Sequence, residues 1–131
     1  MFDISENCII KMSRGDSFEL PLFLNQGTDL KPMRYVLSDK DEIYVAVMEC
    51  NQPFETALIR KKYTYADLNN NGDVIVSFNH EDTVQVLPDL YYYQIKLRKY
   101  IADNKYEVHT VVPKTKFFIE EWLDGLHIWK T

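Results

Sequence analysis

The stretch Tyr91-Tyr92-Tyr93-Gln94-Ile95-Lys96-Leu97-Arg98 decides the fold class of this chain. From Tyr91 onward every second residue is aromatic or aliphatic, and after Tyr92 the residues between them are polar. Alternate side chains of an extended strand point to opposite faces of a sheet. The stretch therefore predicts a β-strand with one face in the core and the other in solvent.

The same period of two recurs along the chain. Residues 17–24 place four apolar side chains on one face of an extended segment, and Pro21 falls on the other face. Because proline cannot donate a hydrogen bond to a neighbouring strand, we expect this strand at a sheet edge or at a bulge. Further strands are expected at 43–48, 74–78, 8–12, 57–63, 106–112 and 116–120.

Turn residues separate these strands. Asn69-Asn70-Asn71-Gly72 contains residues that tolerate positive φ, and Ala102-Asp103-Asn104-Lys105 is typical of a hairpin loop. Single helical turns are expected after Thr64 and Asn79, which are good N-cap residues. About seven or eight short strands with little helical periodicity predict an all-β fold, built as an antiparallel β-sandwich or, alternatively, as a barrel.

Length and composition are those of one domain. A chain of 131 residues, 46% of them hydrophobic, buries a sufficient core without disulfides or a metal. Its net charge of −5, from 15 basic and 20 acidic residues, argues against nucleic acid as a partner. No apolar run reaches the ~18 to 20 residues that span a bilayer, and the N-terminus lacks the pattern of a signal peptide. We therefore expect no membrane partner and synthesis in a cytoplasm.

The segment Asp67-Leu68-Asn69-Asn70-Asn71-Gly72-Asp73 begins like a calcium-binding loop, with oxygen-bearing side chains at alternate positions. The twelfth position of such a loop needs a bidentate Glu, and here it is Phe78. We therefore favour a polar β-turn over a calcium site.

Other metal-binding or catalytic motifs are not present in the sequence. The histidines His80, His109 and His127 do not have the spacing of a helical metal pair, and neither Cys8 nor Cys50 has a second thiol nearby in sequence. There is no Gly-x-Ser-x-Gly elbow and no glycine-rich phosphate loop. We expect no catalytic residue, no metal and no cofactor, and hence a protein that is not an enzyme.

Two pairs of neighbouring acidic residues could in principle act as an acid and a base. They are Asp39 with Asp41 and Glu120 with Glu121. Both pairs lie in polar or terminal stretches, so we interpret all four carboxylates as solvated charge.

The three consecutive tyrosines allow two interpretations. Tyr92 faces away from its neighbours and would offer a stacking platform for a sugar, as in a small carbohydrate- or cell-surface-binding module. Alternatively, Tyr91 is a corner tyrosine that donates a hydrogen bond to upstream backbone, and Tyr93 belongs to the core. We favour the second interpretation and keep the glycan-binding module as the alternative function.

Basic residues form a further candidate site. Arg60-Lys61-Lys62 would join Lys96, Arg98 and Lys99 if their strands are neighbours, in a patch suited to phosphate or to an acidic protein surface. Lysine-rich solvent faces are also common on strands, where they discourage aggregation, and we favour that explanation.

The segment 122–131 is unusually apolar for the end of a domain. We expect it either to pack back over the sandwich or to dock onto a partner subunit, because tryptophan is enriched at interface hot spots. The candidate interface residues are Trp122, Leu126, Ile128 and Trp129.

Three blocks of the sequence together resemble the immunoglobulin-like β-sandwich domain of tailed-phage and prophage structural proteins, of the type found at the N-terminus of baseplate upper proteins. The blocks are Arg14-Gly15-Asp16-Ser17-Phe18, then Glu81-Asp82-Thr83 with Val86-Leu87-Pro88, and then Tyr91-Tyr92-Tyr93-Gln94-Ile95-Lys96-Leu97. The resemblance covers about residues 10 to 120. It departs from the family where Asp89 replaces a glycine before the tyrosine-rich strand.

The resemblance implies an immunoglobulin-like sandwich over residues 1–121, followed by the apolar tail 122–131. It implies a non-enzymatic virion structural protein of a phage or prophage, in the tail or baseplate, made in the cytoplasm of a bacterial host. It also implies that the partners are further copies of the chain, as a homo-oligomer, or other tail and baseplate proteins.

Overall fold

The computed structural model describes residues 3–4, 9–28 and 31–121, and these residues form an all-β fold, as predicted. The strands are β1 (Asp3–Ile4), β2 (Ile10–Ser13), β3 (Phe18–Leu22), β4 (Leu24–Thr28), β5 (Lys31–Arg34), β6 (Glu42–Met48), β7 (Ile59–Thr64), β8 (Val74–Phe78), β9 (Asp89–Ala102) and β10 (Lys105–Glu120). Two 3₁₀ turns, Phe54–Thr56 and Tyr65–Asp67, and the one-turn helix α1 (His80–Thr83) connect them.

The described strands form three sheets. The largest has five strands in the order β2-β10-β9-β6-β7, and within it only β2 and β10 run parallel. A second sheet pairs β3 with β8, and a third has the order β1-β4-β5. All pairings in these two smaller sheets are antiparallel.

One core joins the five-stranded sheet to the β3–β8 sheet. Phe117 of β10 lies with its ring centre 5.4 Å from Phe78 of β8 and 6.1 Å from Tyr93 of β9, both in edge-to-face geometry. The three rings are at most 1% exposed. The two sheets therefore pack face to face as two layers, which is a sandwich-like arrangement.

The alternation of apolar and polar residues in β9 is confirmed. Tyr91 is 5% exposed, while Tyr93, Ile95 and Leu97 are completely buried. The same holds in β8, where Val74, Val76 and Phe78 face the core.

Strand β3 confirms the expectation drawn from Pro21. Pro21 lies opposite Ile75 of β8, and β8 is the strand with which β3 pairs in the described part of the chain. The strand is nevertheless shorter than residues 17–24, because the chain leaves this sheet at Phe23 and begins β4 at Leu24 in the three-stranded sheet.

The two strands expected at 106–112 and 116–120 are one strand, β10, so that expectation was wrong. Val112 lies opposite Ile95 and Thr115 lies opposite Tyr93. Pro113 and Lys114 therefore share one position opposite β9, which is a β-bulge. A bulge accommodates proline because the extra residue needs no ladder hydrogen bond.

The predicted turns are confirmed. Asp103 and Asn104 have φ of 50° and 63°, so the β9–β10 hairpin closes with two residues in the left-handed region, as a type I′ turn requires. At the expected N-cap positions, the backbone N–H groups of Thr64 and Asn79 donate to the carboxylates of Asp67 and Asp82 at 2.8 and 2.7 Å.

Candidate interaction surfaces

The five-stranded sheet has an outer face that points away from the core. Register partners share a face of a sheet, and alternate residues of a strand lie on opposite faces. The strand positions of this face that carry charge are Lys11, Glu42, Arg60, Lys62, Lys96, Arg98, Lys116 and Glu120. We call this surface, with its six cations and two carboxylates, the basic face.

The basic face contrasts with the charge of the whole chain. The chain has 15 basic and 20 acidic residues, so the rest of it carries nine basic residues against eighteen acidic ones. Positive charge is therefore concentrated on one side of an acidic protein.

Aromatic rings lie between the cations of the basic face. The cationic groups stand 3.7 to 5.8 Å from ring centres, within the range of cation–π attraction. The pairs are Lys11 with Phe118, Lys62 with Tyr44, Lys96 with Phe54, and Arg98 with Tyr106.

Glu42 connects three strands at one end of the basic face. Its carboxylate accepts from Lys62 of β7 at 2.7 Å, from Arg98 of β9 at 2.9 Å, and from the Tyr44 hydroxyl at 2.9 Å. The hydrogen bond from Lys62 is the main cause that lowers the pKa of Glu42 to about 2, with smaller contributions from Arg98 and Tyr44 outweighing the effect of burial. Glu42 in turn raises the pKa of Lys62 and of Arg98.

Four cations of the basic face, Lys11, Arg60, Lys96 and Lys116, have no carboxylate partner in the described part of the chain. Arg60 donates to the backbone oxygen of Glu55 at 3.1 Å, and Lys96 lies over the ring of Phe54 at 4.8 Å. Neither contact neutralises the charge, so Arg60 and Lys96 remain available to meet an anion from outside.

Shallow grooves run across the basic face beside the 3₁₀ turn Phe54–Thr56. Tyr44, Phe54 and Glu55 line both grooves. The first, of about 570 Å³, also contains Arg60 and Lys62, and the second, of about 260 Å³, also contains Lys96 and Arg98. Both are wide open to solvent. A surface of this shape suits a partner that covers a broad area better than a small molecule, which needs a deep cleft.

The structure brings together only part of the basic cluster predicted from the sequence. Arg60, Lys62, Lys96 and Arg98 share the outer face, with β6 between β7 and β9. Lys61 faces the other way and pairs with Asp82 at 2.7 Å.

The prediction that Lys99 joins the basic cluster was wrong, and two cations of the basic face were missed. Lys99 lies over Tyr35 at 5.3 Å and belongs to the inner side of β9. Lys11 and Lys116 were not predicted, because their place depends on how distant strands pair. Once β2, β9 and β10 are aligned, the alternation of each strand is enough to find them.

The tyrosine predictions can be placed in the structure. The Tyr91 hydroxyl donates to the backbone oxygen of Leu87 at 2.6 Å, and Tyr93 is completely buried, which confirms the corner tyrosine and the core tyrosine. Tyr92 lies on the basic face and packs against the buried side chains of Ala46 and Met48.

The residues Trp122, Leu126, Ile128 and Trp129, with the whole tail 122–131, lie outside the described residues. Cys8 and His127 also lie outside them, and Cys50 is an exposed free thiol.

The calcium-like segment forms a turn closed by its own side chains. Asn69 Oδ1 accepts from the backbone N–H groups of Asn71 and Asp73, both at 2.9 Å. Asp73 pairs with Arg34 at 2.6 Å, and Asp67 is bound by Thr64. The oxygens therefore serve separate partners, and in the described ranges no three His, Cys, Asp or Glu side chains come together as a metal site.

Asp41 corrects the prediction of solvated charge. It is 1% exposed and accepts hydrogen bonds from the Tyr35 hydroxyl, from Ser38 N–H at 3.0 Å and from Tyr100 N–H at 2.9 Å. Burial alone raises its pKa, but the three donors outweigh burial and leave the pKa below its ordinary value. Burial and the same hydrogen bond raise the pKa of Tyr35. The buried carboxylate thus ties residues 35–41 to β9.

The layer formed by β3, β8 and α1 lies on the opposite side of the core from the basic face. Asp16, Glu19 and Glu81 are exposed there, and none of them has an ion-pair partner among the described residues. We call these three carboxylates the acidic face.

The turn that enters this layer is held by α1. The backbone N–H of Gly15 donates to Oγ1 of the buried Thr83 at 2.8 Å, and His80 Nδ1 lies 2.7 Å from the Gly15 oxygen. Gly15 has φ of 83°, which favours glycine at this turn. The turn is therefore fixed against the helix at two points.

A scan of the chain against protein-family models found no match, and a search of curated proteins found no relative.

Proposed function

We propose that this chain is a non-enzymatic structural protein of a phage or prophage virion, in the tail or baseplate, and that it acts as a protein–protein assembly module. We further propose an immunoglobulin-like topology for its sandwich. Copies of the chain itself and other tail or baseplate proteins are the proposed partners, and the virion is the proposed location after synthesis in the host cytoplasm.

The contact between Gly15 and Thr83 carries this proposal. These residues belong to two of the three blocks that resemble the phage family, and 68 positions separate them in sequence. Their hydrogen bond of 2.8 Å, with Thr83 completely buried, makes the two blocks parts of one structural unit. The third block contributes the corner tyrosine Tyr91. Sequence blocks that resemble a family and also contact one another in the fold support the proposed family more strongly than an isolated motif does.

The surfaces also suit an assembly role. The grooves of the basic face are shallow, and cations lie over four of its aromatic rings. A rigid sheet with such a face loses little conformational entropy when another protein covers it. No helix in residues 3–4, 9–28 and 31–121 has the length and apolar character needed to cross a membrane.

Light scattering coupled to size exclusion tests the proposal. We expect the full chain to form a species heavier than one copy at about 100 µM. This concentration lies above the micromolar range in which interfaces of modest size dissociate. Deleting residues 122–131 tests the contribution of the tail, and an unchanged oligomer with unchanged stability would remove the tail from the interface. A chain that stays monomeric, and binds neither itself nor purified tail proteins, would contradict the assembly role.

A glycan array separates the alternative, a small carbohydrate- or cell-surface-binding module. Tyr92→Ala is the matched variant, because Tyr92 is the aromatic residue named for that function. A specific glycan signal that disappears in Tyr92→Ala would favour the alternative over the assembly module.

A further inference from the structure

We propose that the basic face of one copy docks onto the acidic face of a second copy, so that the chain associates front to back. This inference rests on the proposed assembly function and names the surfaces and the partner. The partner is another copy of the same chain, identified by charge complementarity between two faces that lie on opposite sides of one core.

The basic face supplies unpaired positive charge across its width. Lys11 on the edge strand β2, Lys116 on β10, Lys96 on the central strand β9 and Arg60 on the edge strand β7 have no carboxylate partner in the described part of the chain. Glu42 holds Lys62 and Arg98 in fixed positions. The face is therefore pre-organised, which lowers the entropic cost of binding an acidic surface.

The acidic face supplies the complement. Asp16, Glu19 and Glu81 are exposed and unpaired within the described ranges. Gly15 is bound to Thr83 and His80, so the turn next to Asp16 is fixed against the helix that carries Glu81. A constrained set of carboxylates keeps its geometry when a partner approaches.

The shape of the basic face favours a protein over other anions. With a rise of about 3.4 Å per residue and about 4.8 Å between strands, the outer face from Leu90 to Arg98 measures about 27 by 20 Å. That flat area, about 540 Å², is about two thirds of the ~800 Å² that each partner contributes to a standard interface. A single strand of nucleic acid would need free ring faces for base stacking, and here cations lie over four of the rings while Tyr92 packs against Ala46 and Met48.

The acidic partner that we propose is a second copy of this chain, because the chain carries an acidic face of its own. The net charge of −5 repels two copies at long range, but at about 0.1 M salt charges interact only within about 10 Å. The apposed faces then decide the interaction. Because the two faces are different surfaces, the contact is heterologous and repeats from copy to copy, as a closed ring or as an open chain.

Two double variants test the inference. Arg60→Glu with Lys96→Glu cancels the net positive charge of the basic face and leaves the acidic face intact. Glu19→Lys with Glu81→Lys reverses the acidic face and leaves the basic face intact. Lys105→Glu, at the exposed tip of the β9–β10 hairpin, is a charge-reversal control outside both faces, with half the change in net charge of a double variant. Circular dichroism and thermal unfolding establish that each variant is folded, and the corresponding Gln variants replace any that is not.

We expect sedimentation velocity at about 0.1 M salt to show oligomers for the wild-type chain and for Lys105→Glu. Each double variant alone should be monomeric, with a dissociation constant raised about 100-fold or more, because one face of the contact has then lost or reversed its charge. An equimolar mixture of the two double variants should associate again, since the intact basic face of one variant meets the intact acidic face of the other. About 0.5 M salt should weaken the wild-type association about tenfold.

Several results would overturn the inference. Wild-type association that both double variants leave unchanged would overturn it and leave the assembly function standing. Failure of the mixture to associate would exclude the front-to-back contact, and an equal loss in Lys105→Glu would show that net charge alone is responsible. A monomeric wild-type chain that binds a purified tail protein would overturn the inference only, whereas a monomer that binds a glycan would overturn both proposals.

Discussion

The two faces of the five-stranded sheet are built by alternating residues of the same strands, yet they carry different properties. On the inner face of β9, Tyr93, Ile95 and Leu97 are completely buried in the core. On the outer face, Lys96 and Arg98 belong to the basic face. Burial makes the inner residues determine stability, while exposure makes the outer ones available for association. Two residues that are adjacent in sequence but lie on opposite faces can therefore be substituted in parallel, and each variant serves as the control for the other.

The pair Phe117 and Phe118 should show the largest difference in stability. Phe117→Ala removes a completely buried ring that contacts Phe78 and Tyr93 between the two layers. We expect it to lower the free energy of unfolding by about 3 to 5 kcal/mol. Phe118→Ala removes a half-buried ring on the outer face and should cost about 1 kcal/mol. Urea denaturation of both variants gives the comparison.

Equal losses at Phe117 and Phe118 would contradict the assignment of the two faces. A small loss at Phe117 alone would mean that β3–β8 does not pack on the five-stranded sheet. The slope of the unfolding transition should remain that of the wild-type chain, so that the difference reports stability alone.

The acidic neighbours Asp39 and Asp41 should show the next largest difference. Asp41→Asn replaces one acceptor oxygen by a donor beside Tyr35, Ser38 and Tyr100, and we expect a loss of about 2 kcal/mol. Asp39→Asn alters an exposed side chain and should stay within about 0.5 kcal/mol of wild type. Thermal unfolding at neutral pH measures both, and equal effects would mean that the Asp41 network does not stabilise residues 35–41.

Local sequence was sufficient where the relevant partners are close in sequence. The alternation of Tyr91 to Leu97 predicted both faces of β9, and Asp103 with Asn104 predicted its hairpin turn. The corner tyrosine was also predicted, because its acceptor Leu87 lies only four residues upstream. In each case the physical cause operates within a few residues.

Features that depend on distant partners could not be predicted. Asp41 is buried because Tyr100, 59 positions away, donates to it, and nothing near Asp41 in sequence indicates that donor. Lys11 and Lys116 join the basic face only through the pairing of β2, β10 and β9. The bulge at Pro113 likewise required the register with β9, since proline alone predicts a break.

Lowering the pH should destabilise the outer ion-pair network through Glu42. Its pKa in the folded protein is lowered to about 2, first by Lys62 and then by Arg98 and Tyr44, so the folded state binds a proton less readily than the unfolded chain. The stabilisation is therefore present above the ordinary pKa of 4.5 and is lost as the pH falls from about 4.5 toward 2.

Glu42→Gln isolates this contribution. We expect the variant to lose less stability than the wild-type chain between pH 5 and about 2.5, because it has no proton to bind at this position. Urea titrations at several pH values measure the difference. Parallel curves for the two proteins would show that Lys62 and Arg98 do not stabilise the Glu42 carboxylate.

The tyrosine neighbours should show the smallest difference, because only one hydroxyl is changed at a time. Tyr91→Phe removes the donor to the Leu87 oxygen at 2.6 Å, and we expect a loss of about 0.5 to 1 kcal/mol. The value lies at the low end for a hydrogen bond because Leu87 is 73% exposed, so water can reach its carbonyl oxygen once the hydroxyl is gone. Tyr92→Phe keeps the ring packed on Ala46 and Met48 and should change stability by less than about 0.5 kcal/mol. Thermal unfolding of the two variants measures both losses of stability. A larger loss for Tyr92→Phe than for Tyr91→Phe would mean that the outer hydroxyl of Tyr92, and not the corner hydroxyl of Tyr91, stabilises the fold.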